Sequence, residues 1–170
     1  MSVEENVALP LRELTRLADP TIRLMVWMKL MAVGLSDAGS LYPPELSGGM
    51  RKRAAVARAM ALDPEILILD EPSAGLDPIV SADLDNLILF LKRSFGVTIL
   101  VVTHELESAF HIADRVAMLY QGRLIAVDGK EQFAGHAHPR IRQFLDRQPD
   151  ARPRLAAEDF ISAYLKGSTT

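Results

Sequence analysis

The chain has 170 residues, 49% apolar and 24% charged, which is a globular balance with length enough for a domain with a real core. Net charge is −3, pI about 5.8 and mean hydropathy +0.12, so no global basic field recruits nucleic acid. Without cysteine there are no disulfides, thiolate chemistry or cysteine zinc sites; no apolar run reaches the roughly 18–20 residues that span a bilayer, and the acidic start Met1-Ser2-Val3-Glu4-Glu5 is no signal peptide, which together predict a cytosolic setting.

Residues 1–45 read as helical. Asp19-Pro20 predicts an N-cap followed by proline at the first helical position, and the helix from Thr21 to Val33 closes at Gly34. Ile22, Val26, Leu30 and Val33 share one face, while Leu24, Trp27 and Met31 share the opposite one, so cover is expected on both sides. The second face is either buried in the helix's own domain or kept for a partner subunit.

A loop from Ser36 to Glu45 leads into Leu46-Ser47-Gly48-Gly49-Met50 and a helix from about Arg51 to Leu62. Serine and glycines at a helix N-terminus suit an anion, because free N–H groups and the helix dipole converge there. The plainer alternative is Ser47 as an N-cap, with the glycines giving loop flexibility. Arg51, Lys52, Arg53 and Arg58 read as a solvated face rather than a nucleic-acid patch.

Ile66-Leu67-Ile68-Leu69 runs without alternation, which predicts a strand buried on both faces of a parallel sheet. Asp70 and Glu71 then fall at its carboxyl end, where open α/β sheets bind ligands. One acid suits Mg²⁺ and the next suits a water, unless both are simply solvated in the following turn. Asp77-Pro78 starts a helix whose face is Val80, Leu84, Leu87, Ile88 and Leu91, closed by Gly96. The second buried strand, Val97–Val102, ends at Thr103-His104-Glu105, and the parallel crossover sets His104 level with the two acids. A short helix (Leu106–Ala113) and a hairpin through Gln121-Gly122 follow. Residues 136–154 read as a connection, and Phe160, Ile161, Tyr164 and Leu165 as a tail helix packed on its own domain or on a partner.

Leu46-Ser47-Gly48-Gly49, the strand ending Asp70-Glu71, Ser73-Ala74-Gly75-Leu76-Asp77 and Thr103-His104-Glu105, in this order and spacing, resemble the ABC-transporter ATPase domain. Glu5–Leu11, Met50, Phe133-Ala134-Gly135-His136 and Pro139–Leu145 look like the ATPase subunit of the Mla (toluene-tolerance) phospholipid transporters. The resemblance implies an α/β, P-loop NTPase-like ABC ATPase domain with an incomplete parallel sheet plus a helical subdomain. It implies a helical subdomain over 1–45 continuing into a signature helix at 46–62, the back half of the ATPase core over 63–135, and a C-terminal extension over 136–170.

It also implies roles. Ser47, Gly48 and Gly49 are similar to the signature motif that meets the γ-phosphate of ATP held by the other subunit. Asp70 resembles the Walker B aspartate that holds Mg²⁺ mainly through water, Glu71 the catalytic glutamate that aims the attacking water, Asp77 the D-loop aspartate, and His104 the switch histidine. ATP and Mg²⁺ are the implied cofactors; a second ATPase subunit and integral membrane permease subunits are the implied partners. The implied place is cytoplasmic, on the inner face of the cell membrane.

One departure qualifies this. No G-x-x-x-x-G-K-[ST] phosphate cradle occurs; Gly129-Lys130 has Leu124 and Glu131 where the motif needs glycine and a hydroxyl residue. The family's adenine-stacking aromatic and Q-loop glutamine also lie upstream of the region matched, so the chain is expected to be the C-terminal two-thirds of such a domain, inactive alone. It is also expected to leave an unpaired apolar sheet edge and to be poorly soluble. A competing expectation is a non-catalytic piece that docks a permease without turnover. A DNA-repair or chromosome ATPase is disfavoured, because no coiled coil or zinc module precedes the signature.

Overall fold

The computed structural model describes residues 1–150 and 164–165. They fall in two compact units, residues 1–114 and 115–170. The tail helix predicted through Phe160 and Ile161 lies outside the described residues, apart from helical Tyr164 and Leu165.

The first unit opens with α1 (Val3–Leu14). Its start is a reciprocal capping box: Ser2 Oγ accepts from Glu5 N–H at 3.2 Å, and Glu5 Oε2 accepts from Ser2 N–H at 2.7 Å. α2 (Asp19–Ala32) is capped by Ala18 rather than Asp19. Asp19 and Pro20 instead fill the first two helical positions, where a carboxylate meets the positive dipole and a missing N–H costs nothing. Gly34 ends α2 at φ +71°; Leu35 N–H donates to Leu30 O at 2.8 Å and Gly34 N–H to Met31 O at 3.0 Å, a Schellman closure. Ile22, Val26, Leu30 and Val33 are buried as expected. The opposite face is not covered: Leu24, Trp27, Met28 and Met31 stand exposed, Trp27 by 53%.

After a 3₁₀ turn (Pro43–Glu45), α3 (Gly48–Ala59) begins three residues earlier than the expected Arg51, so Gly48 and Gly49 form its first turn instead of a loop. Its basic residues are not merely a solvated face. Arg51 Nη1 donates to Leu46 O at 2.6 Å, Arg53 Nη1 to Val33 O at 3.1 Å, and Lys52 Nζ to Glu71 O at 3.0 Å. Arg53 thereby serves a carbonyl that the end of α2 leaves without a helical partner.

β1 (Ile66–Asp70) pairs in parallel with β2 (Thr98–Val102), joined through α4 (Pro78–Phe95). The register sets Ile68 beside Leu100 and Asp70 beside Val102. β1 is buried on one face only, a correction to the double burial expected from its unbroken apolar run. Leu67 is 3% exposed and Leu69 8%, whereas Ile66 and Ile68 are 62% and 65% exposed. Leu100 and Val102 of β2 are exposed as well. The covered face meets one core built from Val3, Val7 and Leu11 of α1, Ile22, Val26 and Leu30 of α2, Val56 and Ala57 of α3, and Leu84, Ile88 and Leu91 of α4. Each such large side chain contributes about 1.5–3 kcal/mol by leaving water, before conformational entropy is subtracted. α5 (Leu106–Ile112) closes the unit, with Ser108 Oγ donating to buried Asp85 Oδ1 of α4 at 2.6 Å.

In the second unit β3 (Arg115–Tyr120) and β4 (Arg123–Gly129) form an antiparallel hairpin. Gln121 and Gly122 both have positive φ, +48° and +72°, as a type I′ turn requires. α6 (Lys130–Ala134) buries Phe133, and α7 (Pro139–Leu145) buries Ile141. α7 corrects the connection expected over 136–154. His138 caps it by accepting Arg140 N–H on Nδ1 at 3.2 Å, and Pro139 fits the first helical position.

Candidate active site

The parallel pairing carries the sequence's two most reactive clusters to the same sheet end. Asp70 closes β1 beside Val102, the last residue of β2, and both chain directions turn out there. Glu71 follows with φ +46°, a left-handed conformation that costs a residue with a Cβ of order 1–3 kcal/mol and persists only where its surroundings fix it. The fixing contacts are visible. Glu71 N–H donates to Val102 O at 2.8 Å, and Glu71 O accepts from Ala74 N–H at 3.3 Å and from Lys52 Nζ at 3.0 Å. Its carboxylate meets the histidine predicted to stand level with it: His104 Nδ1 lies 2.8 Å from Glu71 Oε1. The other oxygen, Oε2, is buried and has no hydrogen-bond partner among the described residues.

The Glu71 carboxylate holds the His104 imidazole above its ordinary pKa, chiefly through that hydrogen bond and then through its charge, with Glu105 adding to the effect. Because the folded-state value is the higher one, the stabilisation from this contact is fully present below the unfolded value and is lost as pH rises through the folded value. Titration of the His104 ring resonances by NMR is therefore expected to give a pKa above about 6.5, falling back on Glu71→Gln. A value at or below the free-histidine value in the unaltered chain would refute the pairing in solution.

The loop that follows Glu71 is braced against the loop that carries His104. Buried Ser73 donates from Oγ to Glu105 Oε2 at 3.0 Å, and Glu105 N–H donates to Thr103 Oγ1 at 3.0 Å. Both Ser73 and Glu105 sit inside the motifs singled out by sequence, but a bond across 32 positions has no local signal. Asp77 is the N-cap of α4, its Oδ1 accepting from Ile79 N–H at 3.0 Å and Val80 N–H at 3.1 Å.

The signature-like turn sits against this loop through its glycines. Ser47 caps α3, its Oγ accepting from Met50 N–H at 3.2 Å. A Cβ on Gly48 would lie 3.2 Å from Leu76 Cδ2, and one on Gly49 would lie 2.6 Å from Val80 Cγ1. Here the glycines allow α3 to approach the 73–77 loop and α4, a packing need the sequence reading did not assign to them.

A metal cage is not built from protein alone. Among the described residues no three acidic or histidine side chains gather as metal ligands. That fits Mg²⁺, which usually takes one or two carboxylates and completes its shell with water and phosphate oxygens. At this sheet end the Asp70 carboxylate is exposed, and Glu71 Oε2 has no hydrogen-bond partner among the described residues.

Residues 1–74 match the family model described as ABC transporter. The chain is 44% identical over 170 residues to the intermembrane phospholipid transport system ATP-binding protein MlaF of Escherichia coli, an alignment covering 99% of this chain and 63% of that protein. The chain is similar to the ATP-binding proteins of ABC transporters. The matched stretch includes β1 and the acids Asp70 and Glu71 at its carboxyl end. MlaF of Haemophilus influenzae is 42% identical over 163 residues, covering 95% of this chain and 62% of the relative. A probable ribonucleotide transport ATP-binding protein, mkl, of Mycobacterium leprae is 42% identical over 146 residues, covering 86% of this chain and 42% of the relative. The chain thus spans under two thirds of the length of these ABC-transporter proteins. Among the described residues no helix is long and apolar enough to cross a membrane.

Proposed function

We propose that this chain serves as the ATP-binding subunit of an ABC transporter, coupling ATP hydrolysis to phospholipid transport in a bacterial envelope. The observation that carries the reading is the Glu71–His104 contact at 2.8 Å, with Glu71 Oε2 buried and unpartnered beside it. A general base needs hydrogen-bond reach to its water and a neighbour that fixes its carboxylate, and Glu71 has both an unused oxygen and a fixed one.

In this reading Glu71 orients and deprotonates the attacking water, while His104 holds Glu71 Oε1 and can donate to a γ-phosphate oxygen once that phosphate arrives. Asp70 would hold Mg²⁺, which when bound would neutralise charge on the phosphate oxygens. Ser47, Gly48 and Gly49 serve the γ-phosphate of ATP bound by a second ATPase subunit. Asp77 keeps the D-loop in register by capping α4, and that loop faces the second subunit. The phosphate cradle of this chain's own nucleotide is not contained in these 170 residues, which lack the glycine-lysine loop.

The two MlaF names, with alignments covering 99% and 95% of this chain, support phospholipid over the ribonucleotide cargo in mkl's name, whose alignment covers 86%. The exposed face of α2, Leu24, Trp27, Met28 and Met31, suits an integral membrane permease subunit, which supports a location on the inner face of the cell membrane. That same face favours the second reading, a piece that docks a permease without turnover. ATP hydrolysis separates them. The 170-residue chain alone is expected to show no turnover, and a transporter whose ATPase subunit joins this sequence to a glycine-lysine phosphate loop, assembled with its membrane subunits, is expected to hydrolyse ATP. Assembly without any turnover would select the docking reading and sink the enzymatic one.

A further inference from the structure

Glu71 is held by polar contacts from two separate segments, β2 with the loop that follows it and the signature helix α3. Its N–H is fixed by β2 through Val102 O, its Oε1 by His104, and its carbonyl by Lys52 Nζ of α3 at 3.0 Å. Lys52 lies on the first turns of α3, just past Ser47, Gly48 and Gly49, and is half-buried, so its ammonium has exchanged part of its water for the Glu71 carbonyl. Glu71 in turn stands at φ +46°, where a side-chain-bearing residue stays only under constraint. We infer that Lys52 is a positioning residue for the ATPase reaction: its bond to the Glu71 carbonyl ties the helix that begins at the Ser47–Gly49 turn to the strained backbone that aims the Glu71 carboxylate.

The inference rests on the reading of Glu71 as the catalytic carboxylate and adds a residue to which that reading gives no task. The geometry makes the link mechanical. α3 already contacts the loop after Glu71 at Gly48–Leu76 and reaches α4 at Gly49–Val80, so a displacement of its first turn moves Lys52 with it. The Lys52 bond carries that displacement to the peptide carbonyl of Glu71. Because the carbonyl precedes the turn to Ala74, whose N–H it also accepts, loss of the lysine leaves one bond where there were two and lets the Glu71 peptide rotate. The side chain then samples orientations away from the one that the His104 contact fixes. A role confined to stability makes a different prediction, since the carbonyl keeps one partner and no apolar contact is lost.

The test uses the assembled transporter with three variants of this subunit, Lys52→Met, Lys52→Arg and Glu71→Gln. Lys52→Met keeps the length of the stem and removes the donor. It is expected to lower kcat about tenfold with KM for ATP and equilibrium ATP binding unchanged within about twofold, because the lost contact acts on aim rather than on nucleotide binding. Lys52→Arg can still donate to a single carbonyl and is expected to recover most of kcat. In the 170-residue chain, Lys52→Met should also accelerate amide hydrogen exchange at Glu71 while leaving Leu67 and Leu69 unchanged. Unaltered kcat in Lys52→Met alongside a dead Glu71→Gln overturns the inference and leaves the catalytic reading standing. Equal losses of kcat, ATP binding and melting temperature, unrelieved by arginine, overturn it as well by making Lys52 merely structural. Retained turnover in Glu71→Gln instead removes the catalytic reading itself.

Discussion

Glu71→Gln is expected to cut ATP turnover by about 10²–10⁴-fold in the assembled transporter while ATP remains bound, the range spanned by loss of a positioned general base. The substitution is close to isosteric, and it leaves untouched the contacts that hold the backbone at φ +46°, which come from Val102, Ala74 and Lys52. What it removes is the negative charge. An amide cannot take a proton from water near neutral pH, and it ends the electrostatic hold on His104 that raises the imidazole pKa. Nucleotide binding depends on other groups, so a nucleotide-loaded, non-turning state should accumulate and be recovered by gel filtration with ATP rather than ADP attached. Two controls belong with it. Melting temperature should stay near that of the unaltered chain, because Oε2 is already unpartnered and Oε1 can still be met by His104. Normal turnover in the variant would exclude Glu71 from the chemistry and reduce the 2.8 Å contact to a surface ion pair, which is worth little in itself.

The parts of this site that were legible in the sequence are those with local causes. Asp77, Pro78 and Gly96 bracket α4 because an N-cap carboxylate, a proline at the first position and a left-handed glycine act on their own neighbours. Gln121-Gly122 sets the hairpin for the same reason. His104 could be placed level with Asp70 and Glu71 because a parallel crossover returns the chain to the same sheet end. Ser2 and Glu5, three residues apart, carry the local signal of the capping box that starts α1.

What was not legible depends on what packs where. Ile66 and Leu67 are chemically alike, yet one is 62% exposed and the other 3%, because only one face of β1 meets the core that α1 to α4 build. Composition along the strand holds no record of that. Lys52 read as one of several solvated cations, and its partner lies 19 positions away in sequence. α7 escaped because its cap is a histidine Nδ1, a rarer device than serine or aspartate. The signature glycines were read as freedom for an anion; their neighbours Leu76 and Val80 add a second, steric reason that only coordinates reveal.

That steric reason gives the second large effect. Gly49→Ala would place a methyl group 2.6 Å from Val80 Cγ1, closer than carbon atoms approach without displacement. Helix propensity argues the other way, since alanine is favoured over glycine by about 1 kcal/mol inside a helix. Gly49 lies in the first turn of α3, where that gain is partial, and Val80 is β-branched with little rotamer freedom in α4, so relief must come from separating the helices. Overpacking of this kind costs about 1–3 kcal/mol, which outweighs the propensity gain. At about 2–4 °C per kcal/mol for a chain of this size, the melting temperature should fall visibly in a calorimetric scan. Gly48→Ala is a graded comparison: its Cβ would meet Leu76 Cδ2 at 3.2 Å, the end of a flexible side chain that can give way, so its loss should be smaller. Val80→Ala removes the obstructing methyl groups. Combined with Gly49→Ala, it should recover most of the stability that the glycine substitution loses, because neighbours sharing one contact do not add. Full stability in Gly49→Ala, or no recovery in the double variant, would mean that α3 and α4 are not held at this distance in solution. The Ser47–Gly49 turn would then need no small residue for packing, leaving the approach of an anion as the only physical reason for glycine at 49.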